Sequence, residues 1–412
     1  MAGITVLAIN LRTPITSLPP LFPELQTVMR LSSASIAVLA SVPVLCFGVF
    51  SALAAPLSRR FGEERVLLVA LLLLVGGLLL RGAAPGVLLF PGTVLASAAI
   101  AVMNVLLPSL IKRRRPEHAG LLIGAYLLTL TGGAVIGSLV AVPLFRAAGG
   151  AGWAVRLTLG LWALPAAAAA LAWLPQIRYR TRPEGFGPGE ADPGPEINAS
   201  ERLGGDVAAA PARVAAAPAR VAVRRHALGW QVAAFMGVQS LVFYAALSWL
   251  PTMFRARGVS PGGAGGLLAL MNVGNLVTAM LIPVVAHRVR DQRLLIVATA
   301  MASAAGLAGS FFAPVGSAVA WTLLLGFGEG SALALAIFFT VARAPDPVTS
   351  ASLSGFVQGV GYLIATAGPL GIGFLHAATG GWKVPILVLL AVITLELWCG
   401  TLAGRDRTLC SG

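Results

Sequence analysis

The chain is poor in charge and nearly empty of lysine. Charged residues fill 11% of its 412 positions, and lysine occurs only at Lys112 and Lys383. The net charge of +14 is therefore almost all arginine. With heavy alanine, glycine and leucine usage this reads as GC-rich coding bias, and no nucleic-acid partner is expected. Cysteine is scarce too: Cys46, Cys399 and Cys410 follow no metal or redox spacing and read as packing residues. His118, His226, His287 and His376 stand near the ends of apolar segments and do not cluster. Nowhere do His, Cys or acid ligands gather, and no nucleophile sits with a base, so no enzyme, metal or cofactor is expected. Nor is a cleavable leader, because the first apolar segment carries Asn10 and Arg12 and no small-residue cleavage site follows it.

What the chain has in excess is apolar residue, 57% of the total. That is more than a soluble core needs, and it identifies a polytopic all-α membrane protein. Apolar runs of about 20 residues give twelve expected spans: 2–24, 34–57, 65–82, 86–111, 119–144, 153–176, 227–253, 260–286, 293–313, 316–342, 349–375 and 382–403. Arginine and lysine divide unequally between alternate loops. Twenty-one fall in one set, including Arg59, Arg60, Arg65 and the stretch from Arg178 to Arg225, against seven in the other. That asymmetry puts both termini and the central loop in the cytoplasm.

Residues 178–225 are Pro, Gly, Ala and charge, with Ala-Pro-Ala-Arg-Val occurring twice, and they read as a flexible linker. It joins two six-helix halves, 1–177 and 226–412. The halves look like repeats. Setting Pro19 on Pro251 aligns Phe22 with Phe254 and places Arg12 opposite Tyr244, and Arg65 lines up with Arg293 at nearly the same offset. Twelve spans with an internal repeat are the plan of alternating-access transporters, which hold solute between the halves.

Candidate site residues are the polar groups at membrane depth. Asn10 and Arg12 come first, since a guanidinium at the helix centre costs roughly 2.5 to 3.5 kcal/mol and intramembrane charge is functional by default. Its planar donors suit carboxylate-like and linear anions. The alternative is a structural arginine that satisfies carbonyls freed by Pro14, Pro19 and Pro20, or that pairs with a buried acid. Glu329, in Gly326-Phe-Gly-Glu-Gly-Ser-Ala-Leu333, is a coupling group, the counter-ion of Arg12, or a helix-end or packing residue; Glu396 reads as interfacial. Asn104, Gln239, Tyr244, Gln358 and Tyr362 complete the expected solute site, with Tyr126, Asn272 and Asn275 as lesser candidates. Gln358 and Tyr362, four apart, face one way on a helix. The runs Gly132–Gly137 and Gly355–Gly361 read as close helix packing.

Several stretches carry a family resemblance: Asn10-Leu-Arg-Thr-Pro-Ile-Thr-Ser17, Asn104-Val-Leu-Leu-Pro-Ser-Leu-Ile-Lys-Arg113, Trp249-Leu-Pro251, Gly355-Phe-Val-Gln-Gly-Val-Gly-Tyr-Leu-Ile-Ala365, Gly368-Pro369 and His376-Ala-Ala-Thr-Gly-Gly-Trp382. With the 6+6 plan, the chain resembles the major facilitator superfamily, in particular its cyanate and 2-nitroimidazole transporter (CynX/NimT) family. The resemblance implies a bacterial inner-membrane transporter whose first, fourth, seventh and tenth spans line a central cavity. The loop Ser58–Arg65 departs from the superfamily pattern by lacking its usual aspartate, which leaves the gating charge pair of that motif without a counterpart here.

The expected function is secondary transport of a small anion or planar nitrogen-containing compound around Arg12. A proton-coupled multidrug exporter, and a receptor or scaffold that binds without transport, are the alternatives. Expected partners are the small-molecule solute and the lipid bilayer, with protons as a candidate coupling ion and a monomeric protein. A reporter enzyme active only outside the cytoplasm should be silent when fused after Glu190 and active when fused after Gly149. The opposite pattern would invert the topology.

Overall fold

The computed structural model describes residues 2–83, 85–114, 118–150, 152–178 and 223–409. Most of the expected linker, 179–222, and Cys410 lie outside the described residues. Those described are helical, and eleven stretches are long and apolar enough to cross a bilayer. Boundaries follow the expected punctuation. Helix α4 (Ser33–Phe61) opens on Ser32, whose hydroxyl accepts from the Ser35 N–H, and closes at Gly62 with φ 87°. Helices α5 (Glu63–Ala83), α6 (Pro85–Arg114) and α7 (Ala119–Ala147) follow, then a sixth span in two pieces, α8 (Gly152–Gly160) and α9 (Ala163–Trp173). The second half begins with α10 (Ala227–Ala256) and α11 (Pro261–His287), the latter capped by Ser260, and continues through α12 (Arg293–Phe312) and α13 (Ala318–Ala342). Its eleventh span is α14 (Pro347–Ala365) plus α15 (Ala367–Thr379), and α16 (Lys383–Ala403) completes it.

The first span is not one helix. It is α1 (Ala2–Ile9), a break at Asn10–Arg12, α2 (Thr13–Thr16), a tight turn at Pro19–Leu21 and α3 (Phe22–Met29). Proline removes the donors that would continue the ladder, and in hydrocarbon every freed carbonyl needs another partner. Side chains supply them. Asn10 Nδ2 donates to the carbonyls of Val6 at 2.7 Å and Pro165 at 3.2 Å, tying the break to α9. Thr13 Oγ1 donates to Ile9 at 2.6 Å, and Thr16 Oγ1 to Arg12 at 3.1 Å. The Pro14 carbonyl accepts from Ser17 Oγ at 3.2 Å and from Arg81 Nη1 at 3.3 Å. Arg81 lies near the end of the expected third span, 65–82, where the charge count across alternate loops assigns it to the loop that follows. It is instead buried at 2% exposure, directed at the prolines, and fills the structural role considered for Arg12.

Helix α7 packs directly on this broken span. A Cβ at Gly137 would stand 2.5 Å from Thr16 Oγ1, and Gly133 lies still closer to the Ile9 carbonyl, so only glycine fits. The expected packing role thus holds for Gly133 and Gly137. In the second run Gly361 meets Met236, whereas Gly355 and Gly359 face open space.

The two bundles meet through α4 against α14 and α15, and α7 against α11. At the end away from the linker, Arg255 Nη1 of α10 reaches both carboxylate oxygens of Glu24 in α3 at 2.7 Å. Beside it the Phe22 and Trp249 rings lie 5.6 Å apart, Trp249 Nε1 donates to the Pro369 carbonyl at 2.9 Å, and Trp382 stacks on His376 at 4.0 Å. At the linker end, the described networks run within a half. Arg114 bridges Glu64 at 2.8 Å and Gln176 at 2.7 Å, while Arg343 donates to Gln292 and to the Ala403 carbonyl. A double-mutant cycle on Glu24→Gln and Arg255→Gln should give a coupling of about 1 kcal/mol, the upper end for partly exposed pairs. Additive losses of thermal stability would show that the pair does not join the halves.

Candidate functional site

The break between α1 and α2 delivers Arg12 midway along its span. Arg12 retains partial exposure there, within the helix bundle. Three of the chain's four tyrosines converge on the guanidinium: Tyr126 from α7, Tyr244 from α10 and Tyr362 from α14. Tyr244 is the nearest, within side-chain hydrogen-bonding reach of both Arg12 and Tyr362. The Tyr244 and Tyr362 rings stand 6.3 Å apart and nearly edge to face. Phe47 of α4 closes the cluster at 6.4 Å from Tyr244 and 5.8 Å from Tyr362, and Phe243 packs on Tyr244 at 5.1 Å. Asn104 of α6 lies behind Tyr126, whose hydroxyl donates to Asn104 Oδ1 at 3.4 Å.

Among the described residues no ion pair involves Arg12; those present join Arg114 to Glu64, Arg255 to Glu24 and Arg293 to Asp291. The guanidinium has phenols as its electrostatic neighbours. Tyr126 donates its hydroxyl proton to Asn104, while guanidinium donors suit an acceptor on a solute. The Phe47 and Phe243 rings beside the phenols offer flat apolar faces, which favour a planar or linear guest.

Of the sequence candidates, the structure gathers Arg12, Asn104, Tyr244 and Tyr362. Gln358 lies one turn before Tyr362 on α14, partly exposed, with Nε2 donating to Ser354 Oγ at 2.9 Å. Asn10 stands beside the site but is 1% exposed, and its amide is spent on the two carbonyls already named. Gln239 is equally buried and donates to the Met236 carbonyl at 3.1 Å and to Ser240 Oγ at 2.6 Å. Tyr126, a lesser candidate, is a full member of the cluster. Phe47 and Phe243 were missed, since an apolar side chain in an apolar helix carries no signal of its own. Asn272 and Asn275 are elsewhere in α11, Asn272 bonding the Leu268 carbonyl at 2.9 Å.

Glu329 is not the counter-ion of Arg12. It sits on α13, wholly buried, with Glu396 of α16 and Ser303 of α12 as its electrostatic neighbours. Glu396 in turn is not interfacial, because it lies in the interior of α16 at 1% exposure.

The sequence pattern of the Major Facilitator Superfamily matches residues 4–369. The chain is 37% identical over 409 residues to the 2-nitroimidazole transporter of Escherichia coli (strain K12), covering 99% of this chain and 96% of that one. It is 27% identical over 380 residues to the cyanate transport protein CynX of the same strain, covering 92% and 90%. In structure it is similar to the inward open xylose transporter XylE from E. coli, with a TM-score of 0.72 at 12% identity over 100% and 96% of the two chains. Twelve spans in two pseudo-symmetric bundles, a polar cluster between them and a match along nearly the whole length agree: the chain belongs to the major facilitator superfamily and is a multi-pass membrane transporter of small molecules, not an enzyme.

Proposed function

We propose that the protein carries a small anion, or a small planar nitrogen-containing compound, by alternating access around Arg12. One observation carries this reading: a permanently charged guanidinium between the two bundles has no carboxylate partner among the described residues. Such a charge is tolerated only if something repays its desolvation, and an acceptor on the solute completes what the phenols begin. The cyanate and 2-nitroimidazole named for the two relatives share the required features. One is a linear anion, the other a flat ring whose nitro oxygens accept hydrogen bonds. Guanidinium donors suit both, and the aromatic walls suit both shapes.

Arg12, Asn104, Tyr126 and Phe47 belong to the first half of the chain, Tyr244, Gln358 and Tyr362 to the second. Rocking of the halves therefore opens and closes the site between them, with Glu24 and Arg255 joining the end away from the linker. In this reading the protein works as a monomer in a bacterial inner membrane, both termini in the cytoplasm. The linker of residues 178–225 then tethers the halves on the same side.

The test is thermal-shift binding of cyanate and 2-nitroimidazole to purified protein, repeated with Arg12→Ala and Tyr244→Phe. Loss of a charge-assisted hydrogen bond removes about 1.5 to 3 kcal/mol, so Arg12→Ala should weaken binding about 10- to 100-fold. Tyr244→Phe should weaken it less. Undiminished stabilisation in Arg12→Ala would remove that residue from the site.

A further inference from the structure

At the linker end of the second half, the α11–α12 loop, the end of α13 and the segment after α16 surround a hollow of about 470 Å³, well away from Arg12. Arg288 and Arg290 of the loop and Arg343 at the end of α13 line it, together with His287 and Asp406. Three arginines against one acid leave a surplus of two positive charges in the lining.

Nothing nearby cancels that surplus. Asp291, the next acid along the loop, is engaged by Arg293, whose Nε stands 3.5 Å from its Oδ2 and whose backbone N–H donates to its Oδ1 at 3.0 Å. Arg288 and Arg290 enter no ion pair among the described residues. The same end of the first half differs, since Arg114 there has Glu64 at 2.8 Å.

The pocket is built into the fold. Arg343 is 3% exposed and fixed in place: its Nε donates to the Ala403 carbonyl at 3.2 Å, its Nη2 donates to Gln292, and its Cζ lies 5.1 Å from the centre of the Phe339 ring. Its Nη1 is engaged in neither bond. Backbone hydrogen bonds tie the walls together, from Gln292 N–H to the Gly404 carbonyl at 3.2 Å and from Leu409 N–H to the Arg343 carbonyl at 2.8 Å.

Below the hollow the surface is apolar. Leu281 and Val285, one turn apart on α11, are 58% and 43% exposed, and Ile337 and Val341, one turn apart on α13, are 51% and 64% exposed. Val341 itself lines the hollow, so the stripe on α13 leads straight from it toward the bilayer centre. A cationic pocket where two spans leave the membrane, continued by exposed aliphatic stripes, suits an amphipathic ligand with an anionic head. A soluble anion would use the pocket alone, and a zwitterionic headgroup would leave the charge surplus standing.

We propose that this hollow binds the phosphate of an acidic phospholipid, with Arg288, Arg290 and Arg343 around the phosphate oxygens and the acyl chains along α11 and α13. Guanidinium forks match phosphate oxygens, and each such bond is charge-assisted. The bound headgroup joins the α11–α12 loop to the end of α13. The site is independent of what Arg12 binds.

Native mass spectrometry of the purified full-length protein, titrated with phosphatidylglycerol, tests this. Arg288→Gln combined with Arg290→Gln should weaken retention of the first lipid about 25-fold, about fivefold for each arginine at a membrane surface. Arg59→Gln combined with Arg60→Gln removes the same charge from exposed positions at the same end of the first half and should leave retention at the wild-type level. Equal losses in the two double variants would make binding a property of the whole basic face and overturn the site. Phosphatidylethanolamine or phosphatidylcholine held as tightly as phosphatidylglycerol overturns it too, because the surplus charge would then not be what binds. Displacement of the lipid by inorganic phosphate at equal concentration would assign the pocket to a soluble anion instead.

Discussion

A guanidinium cannot be neutralised inside a membrane; it can only be solvated by whatever the fold brings to it. Arg12 is surrounded by phenols from three helices of both halves rather than by a carboxylate. A carboxylate would close the electrostatic account within the protein and leave little reason for a solute to bind. Phenols stabilise the cation without cancelling it, so the charge remains available.

The broken first span is the means. A continuous helix would fix Arg12 by helical periodicity alone, whereas prolines at 14, 19 and 20 release the backbone. Asn10, Thr13, Thr16 and Arg81 then take up the freed carbonyls. The result is an irregular segment pressed on α7 at Gly133 and Gly137. Two arginines thereby divide two roles: Arg81 bonds the backbone, and in the proposed function Arg12 is left to the solute.

The spans were legible because the bilayer imposes a length on any sequence that crosses it. Arg12 was legible for the same reason, as a costly exception. The internal repeat placed it opposite Tyr244, and the two are in fact neighbours. Orientation about the helix axes was not legible. Lipid and bundle interior are both apolar, so a membrane helix carries little amphipathic signal and a polar residue does not announce which way it faces. That is why Arg81 read as a loop residue, Glu396 as interfacial and Glu329 as a partner for Arg12. Phe47 and Phe243, indistinguishable in sequence from packing residues, could be recognised only by what stands next to them.

The ring around Arg12 is stitched from both sides of the molecule. Tyr244 and Tyr362 ride on one half, the cation and Tyr126 on the other. In the proposed alternating-access reading, a hinge that parts the halves would strip the cation of two of its three phenols and let water rehydrate it. Affinity would then fall through the same displacement that opens an exit, so unloading would require no separate trigger.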